Sequence, residues 1–149
     1  MQLIVFICLK RQIGFSCDDG WQAFGNSCYK MTVETKTWNE AEKDCEKSGA
    51  HLASIHSAEE QAFVTKLHDP TRKHYIWLGG MRDGGSFKWK DGSAFNYQNW
   101  DRGQPNDWRG NEDCMELYSA PGQSHHDKWN DVPCDQTDHA DRFICKKRK

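Results

Sequence analysis

Gly103 to Cys114 reads GQPNDWRGNEDC, a run that carries the side-chain oxygens of Gln104, Asn106 and Glu112 close together. Asn130 and Asp131, directly after Trp129, add two more from a separate segment. Hard cations such as calcium take roughly six to eight oxygen ligands from carboxylates, carboxamides, backbone carbonyls and water, so these five residues are candidates for one ion site. The spacing does not fit the helix-loop-helix calcium pattern, and a site here must be assembled from a loop and a strand. The competing reading is a solvated loop, because Asn, Asp, Gly and Pro hydrogen-bond their own backbone and tolerate turn dihedrals.

Other clusters offer less. His125-His126-Asp127 could suggest metal or acid/base chemistry. Adjacent histidines diverge on most backbones, and no nucleophile with a helping base stands out, so an exposed loop is the better reading and an enzyme the weakest class. Zinc is disfavoured too, since no Cys-x-x-Cys pair occurs and no Cys lies near a His pair.

These residues need a scaffold, and 149 residues suit one domain with a real core. The net charge of -2, with both signs mixed along the chain, excludes binding to nucleic acid by counterion release. The terminal Lys146-Lys147-Arg148-Lys149 is expected to be a solvated, disordered tail. Seven cysteines point to an oxidising compartment. Six of them, Cys17, Cys28, Cys45, Cys114, Cys134 and Cys145, lie in the polar part, where six allow about fifteen pairings that spacing cannot decide. Cys8 sits in the apolar run Leu3 to Leu9, too short to span a bilayer. Residues 1–16 therefore read as a signal peptide, atypical or truncated because Lys10-Arg11 follow the run, and the chain as secreted.

Thr37 to Glu40 and Ser57 to Glu60 fit the Ser/Thr-x-x-Glu box that opens helices. The first helix would bury Trp38, Ala41 and Cys45; the second would bury Phe63, Val64 and Leu67 and stop at Asp69-Pro70. After Pro70 come short aromatic and β-branched runs that read as strands: Tyr75 to Leu78, Phe87 to Trp89, Cys114 to Leu117, Lys128 to Asp131 and Phe143 to Cys145. Some twenty residues between Gly92 and Cys114 show little periodicity, longer than a compact domain leaves irregular without a function or a bound ion.

Taken together the residues resemble a C-type lectin domain of the long form over 17–149. The resemblance rests on Cys17-Asp18-Asp19-Gly20-Trp21, Gly25-Asn26-Ser27-Cys28-Tyr29, His51-Leu52-Ala53-Ser54-Ile55 with Glu59-Glu60, and Trp77-Leu78-Gly79. It continues through Asn99-Trp100, Gln104-Pro105-Asn106, Glu112-Asp113-Cys114, Trp129-Asn130-Asp131 and Phe143-Ile144-Cys145.

The resemblance implies an α+β fold, two helices flanking two small antiparallel sheets, with a long ligand-binding loop. It implies the disulfides Cys17-Cys28, Cys45-Cys145 and Cys114-Cys134; the second closes a loop of about a hundred residues, worth up to roughly 4 to 5 kcal/mol on chain-entropy grounds. It further implies one calcium held by Gln104, Asn106, Glu112, Asn130 and Asp131, with a cis Gln104-Pro105 bond turning the flanking carbonyls toward the ion. Glycan is the implied partner: vicinal hydroxyls of a sugar coordinate the ion and hydrogen-bond Gln104, Asn106, Glu112 and Asn130.

Gln-Pro-Asn departs from both the Glu-Pro-Asn of mannose-type and the Gln-Pro-Asp of galactose-type members, leaving Glu112 and Asp131 as the only acids among the five ligands and implying weaker calcium binding than in members with three acids. Trp108, flanked by Asp107 and Arg109, stands where galactose-type members stack an aromatic ring on the sugar. Galactose or N-acetylgalactosamine is therefore favoured, with mannose or fucose next; a calcium-independent module for a protein or another surface is the rival. A second calcium would draw on Asp107 and Asp113 with Asp83 as substitute, but Arg82 stands where an acid is expected. Homo-oligomerisation, the usual route of lectins to avidity, stays open.

Overall fold

The computed structural model describes residues 16–69, 71–138 and 140–149. The leader read over residues 1–16, with Cys8, lies outside them apart from Ser16. Chain order is β1 (Gln22–Phe24), β2 (Ser27–Thr32), α1 (Trp38–Glu46), β3 (His51–Leu52), α2 (Ala58–Thr65), β4 (His74–Asp83), β5 (Ser86–Trp89), β6 (Cys114–Ser119), β7 (Lys128–Val132) and β8 (Ala140–Arg148). This is an α+β fold with both expected helices and all three implied disulfides, Cys17–Cys28, Cys45–Cys145 and Cys114–Cys134.

Thr37 and Glu40 close a reciprocal capping box on α1: the Thr37 hydroxyl accepts from Glu40 N–H at 3.3 Å and the Glu40 carboxylate from Thr37 N–H at 2.9 Å. Trp38, Ala41 and Cys45 form its buried face, and Cys45–Cys145 fastens that face to β8. At α2 only half of the box forms. Ser57 accepts from Glu60 N–H at 3.1 Å, but the Glu60 carboxylate is drawn inward to His56 N–H, the Tyr29 hydroxyl and Lys146 Nζ. The box needs only local partners, whereas Glu60 meets Tyr29 and Lys146 through the sheet.

The strands form two antiparallel groups, β1-β2-β8 with β3 on β8, and β5-β4-β6-β7. Parallel pairing of β4 with β8, Ile76 opposite Arg142 and Trp77 opposite Phe143, joins them into one path. The two small sheets expected from the sequence are thus continuous with each other. The basic terminus differs more sharply from expectation. It is not a solvated tail but the end of β8, in register with β2 through Cys28–Lys147 and Tyr29–Lys146. Lys146 Nζ donates to Ser54 O at 2.9 Å and pairs with Glu60, so alternation along the strand, not local charge, decides which lysines turn inward.

One core lies around Trp38, Leu52, Trp77 and Phe143, the other around Ile55, Val64, Ile76, Leu117 and Trp129. Trp129, fully buried, organises the first half of the long irregular segment. Its ring meets Trp89, Phe95, Tyr97 and Trp100 at centroid distances of 5.5, 6.2, 5.7 and 5.8 Å. Its backbone accepts from Asp101 N–H and donates to Asn99 O, both at 2.9 Å. Aromatic packing and main-chain pairing therefore order that half of the loop, and the next residues of β7 are Asn130 and Asp131.

Candidate metal centre

Strand alternation separates the functions of neighbouring residues on β7. Trp129 points into the core, and Asn130 beyond it shares the wall of a cavity of about 440 Å³ with Gln104, Trp108 and Glu112. Asp131 is fully buried behind the loop. Its Oδ1 accepts from Asn106 N–H at 3.1 Å, and its Oδ2 accepts from Asp107 N–H at 2.8 Å and from Arg82 Nη2 at 2.9 Å. One side chain thus fixes the backbone of the loop at the residues that follow Pro105.

The loop itself turns through left-handed backbone at Asp107 (φ 45°) and Arg109 (φ 60°), with Gln104-Pro105 cis. Trp108 N–H lies 2.9 Å from Glu112 Oε2 and 3.2 Å from Asn106 Oδ1, while Glu112 N–H donates to Asp107 Oδ1 at 3.1 Å. These bonds fold Asn106 and Glu112 toward each other. The resulting donor set suits a hard cation: Gln104 Oε1 and Asn130 Oδ1 are buried carbonyl oxygens without a hydrogen-bond partner, and both belong to residues lining the one cavity. A buried polar atom without a partner is costly, and an oxygen-seeking ion in the cavity would relieve that cost. Of the five expected ligands, Gln104, Asn130 and Glu112 line the cavity, whereas Asn106 is exposed on the loop outside its lining and Asp131 braces the loop from behind.

The residues read as a second site are distributed differently. Asp83 pairs with Lys88 at 2.8 Å, Asp113 lies 3.4 Å from Arg82 Nε, and Asp107 caps the Glu112 amide. The three are not brought to one point by these contacts. Trp108 is 58% exposed, with the Arg109 guanidinium 4.1 Å above its ring, and it contributes to the cavity wall. The His125-His126-Asp127 segment is half-buried, not the exposed loop expected. Tyr118 packs on His125 at 4.3 Å and His126 Nδ1 accepts from Ala120 N–H at 3.1 Å, so the turn is held by packing and a backbone bond.

Sequence reasoning missed Glu116. It sits on β6 directly across from Asn130, lines the same cavity and leaves Oε2 buried without a partner. A charged residue inside the apolar run Cys114-Met115-Glu116-Leu117, one strand from the site, is the signal that could have found it. Burial pushes its carboxyl up to about 8. Glu112 is also raised, by burial first and then by the negative charges of Asp131 and Asp107. For Glu116 the sign is fixed: the folded chain holds the proton more tightly than the unfolded one, so its contribution is complete below about 4.5 and lost as pH rises toward about 8. In EDTA the Tm of the wild type is expected to fall between about pH 5 and pH 8.5, and Glu116→Gln to flatten that slope. Parallel Tm-pH curves for the two proteins contradict the assignment.

Two helices, the disulfide set and a cis Gln-Pro loop facing an Asn-Asp strand define the C-type lectin domain as a class. The chain belongs to that family: the family described as Lectin C-type domain matches residues 34–147. It is similar to asialoglycoprotein receptor 2 of Mus musculus, 39% identical over 140 residues that cover 89% of this chain and 42% of that protein. It is also similar to a lectin of Pleurodeles waltl, 38% identical over 146 residues, covering 93% of this chain and 80% of that one. The chain therefore spans less than half the length of the mouse receptor. Among solved structures, the cow C-type carbohydrate-recognition domain of CD23 in the presence of GlcNAc2Man3 oligosaccharide superposes with a TM-score of 0.77 at 32% identity, covering 90% of this chain and 97% of that one. A calcium-independent type II antifreeze protein does so with the same score and identity, over 89% and 95%.

Proposed function

We propose that this chain is a secreted, calcium-dependent glycan-binding module that takes galactose-type sugars in preference to mannose. The observation that carries the reading is the pair of buried, unpartnered carbonyl oxygens, Gln104 Oε1 and Asn130 Oδ1, on one cavity wall with Glu112 and Trp108. Calcium, when bound, would offer open coordination positions to two vicinal sugar hydroxyls. Gln104 and Asn130 hold carboxamides there, which both donate and accept, while the Glu112 carboxylate accepts, so sugar hydroxyls meet complementary partners. Secretion is supported by the three disulfides, which form in oxidising compartments. Among the described residues no helix is long and apolar enough to cross a membrane.

Galactose preference rests on Trp108. Its exposed ring gives an apolar platform at the cavity wall, and the Arg109 guanidinium braces it by cation–π contact. Trp108→Ala is expected to weaken galactose binding about tenfold, equivalent to about 1.4 kcal/mol, and to leave mannose affinity within about twofold. Equal losses for the two sugars, by calorimetry, contradict a stacking role. The rival reading, a calcium-independent module, is favoured by one observation: Asp131 already carries Arg82 and two backbone N–H donors, and its remaining capacity for an ion is reduced. Retention on sugar that EDTA leaves unchanged, or none even with calcium, would decide for it.

A further inference from the structure

We propose that the Arg82 guanidinium is a resident cation among Glu112, Asp113 and Asp131, standing where the family resemblance expects an acid of a second calcium site, and that it holds the site loop in its binding-ready shape when no calcium is present. Arg82 lies near the end of β4, and its side chain reaches both segments that build the site. Nη2 donates to Asp131 Oδ2 at 2.9 Å and to Glu112 O at 3.1 Å, and Nε donates to Glu112 O at 3.4 Å. The same Nε lies 3.4 Å from Asp113 Oδ1. Two carboxylates and a backbone carbonyl are the oxygen set a hard cation collects, here gathered around a planar guanidinium.

The position is built. The Arg82 side chain is 17% exposed, its guanidinium lies 4.8 Å over the Phe87 ring, and its own N–H donates to Asp113 O at 2.7 Å. Backbone and side chain of one residue thus clamp β4 to the loop at Glu112 and Asp113, and through Asp131 to β7. The acids that a second calcium would need are committed elsewhere. Asp113 faces the guanidinium, Asp83 faces Lys88, and Asp107 faces the Glu112 amide. A divalent ion at this point would sit against a fixed positive charge, so the donor set does not fit it. The structure assigns to Arg82 a positioning role: it fixes Asp131, and Asp131 fixes the amides of Asn106 and Asp107.

Loop order without calcium follows from Arg82 alone; a stoichiometry of one calcium rests also on the function proposed above. The test is amide hydrogen exchange of the full chain in EDTA, read at Asp107, Trp108 and Glu112 against Leu117 in the core, followed by calorimetric titration with calcium chloride. The wild type is expected to protect the three loop amides in EDTA and to take one calcium. Arg82→Ala is expected to lose that protection by about tenfold or more with Leu117 unchanged. Arg82→Lys, which keeps the charge but lacks the fork, decides the matter if the alanine variant does not fold: about tenfold loss is expected, because one ammonium cannot span the carboxylates and the carbonyl. Loop protection equal to wild type in either folded variant overturns the proposal, as does a wild type that takes two calcium ions. A wild type that takes none while its loop stays protected in an Arg82-dependent way upholds the Arg82 role and sinks the sugar-site reading instead.

Discussion

Asp131→Ala is expected to abolish calcium and sugar binding together and to lower stability by about 3 to 5 kcal/mol, the cost of leaving one member of a buried ion pair alone. The side chain is fully buried, and its two oxygens accept from Arg82, Asn106 N–H and Asp107 N–H. Alanine leaves a guanidinium and two amide donors facing a void, and the loop that presents Asn106 loses its brace. For a chain of this size the loss corresponds to a fall in Tm on the order of 10 °C. Asp131→Asn separates the two effects. It keeps the volume and one acceptor but gives up the charge that faces Arg82 and turns an NH2 toward a donor, so it should recover only part of the stability lost in the alanine variant while calcium binding stays lost. An alanine variant that melts with the wild type, or that still binds sugar, contradicts the geometry.

Trp129→Ala is expected to cost a further class of stability, about 3 to 5 kcal/mol, because it empties a fully buried aromatic site. The indole Nε1–H donates to Gln61 Oε1 at 2.8 Å, which ties β7 to α2, and the ring is edge-on to Trp89 and Trp100. Its consequence for function is indirect. Asn99 and Asp101 pair with the Trp129 backbone, so a β7 that settles into the cavity shifts the loop leading to Gln104 and moves Asn130 with it. Calcium affinity should fall alongside Tm, and Trp129→Phe should recover most of both. A large drop in Tm with unchanged calcium affinity refutes the link between this packing and the site.

Much of this was legible in the sequence, for reasons that differ by residue. Thr37 and Glu40 cap α1 through bonds spanning three residues, which local spacing fixes. Ser57 and Glu60 share that spacing, yet Glu60 turns to Tyr29 and Lys146, partners that only the β2–β8 register brings near. The same register converts the basic terminus from tail to strand. At the site, Gln104, Glu112 and Asn130 were readable because a cation site needs oxygen donors close together, and Trp108 through the family resemblance alone; the structure lines one cavity with all four. Glu116 was not, because its place opposite Asn130 depends on strand pairing. Arg82 was visible only as a missing acid; that it replaces the charge of an ion follows from its reach to Glu112, Asp113 and Asp131.

The cavity between Gln104, Glu112 and Asn130 is expected to bind sugar through an ion. Retention of the folded chain on galactose-agarose and mannose-agarose, each run with calcium and then with EDTA, measures this directly. The prediction is stronger retention on galactose, present with calcium and released by EDTA. Retention indifferent to EDTA, or none on either matrix with calcium, contradicts it.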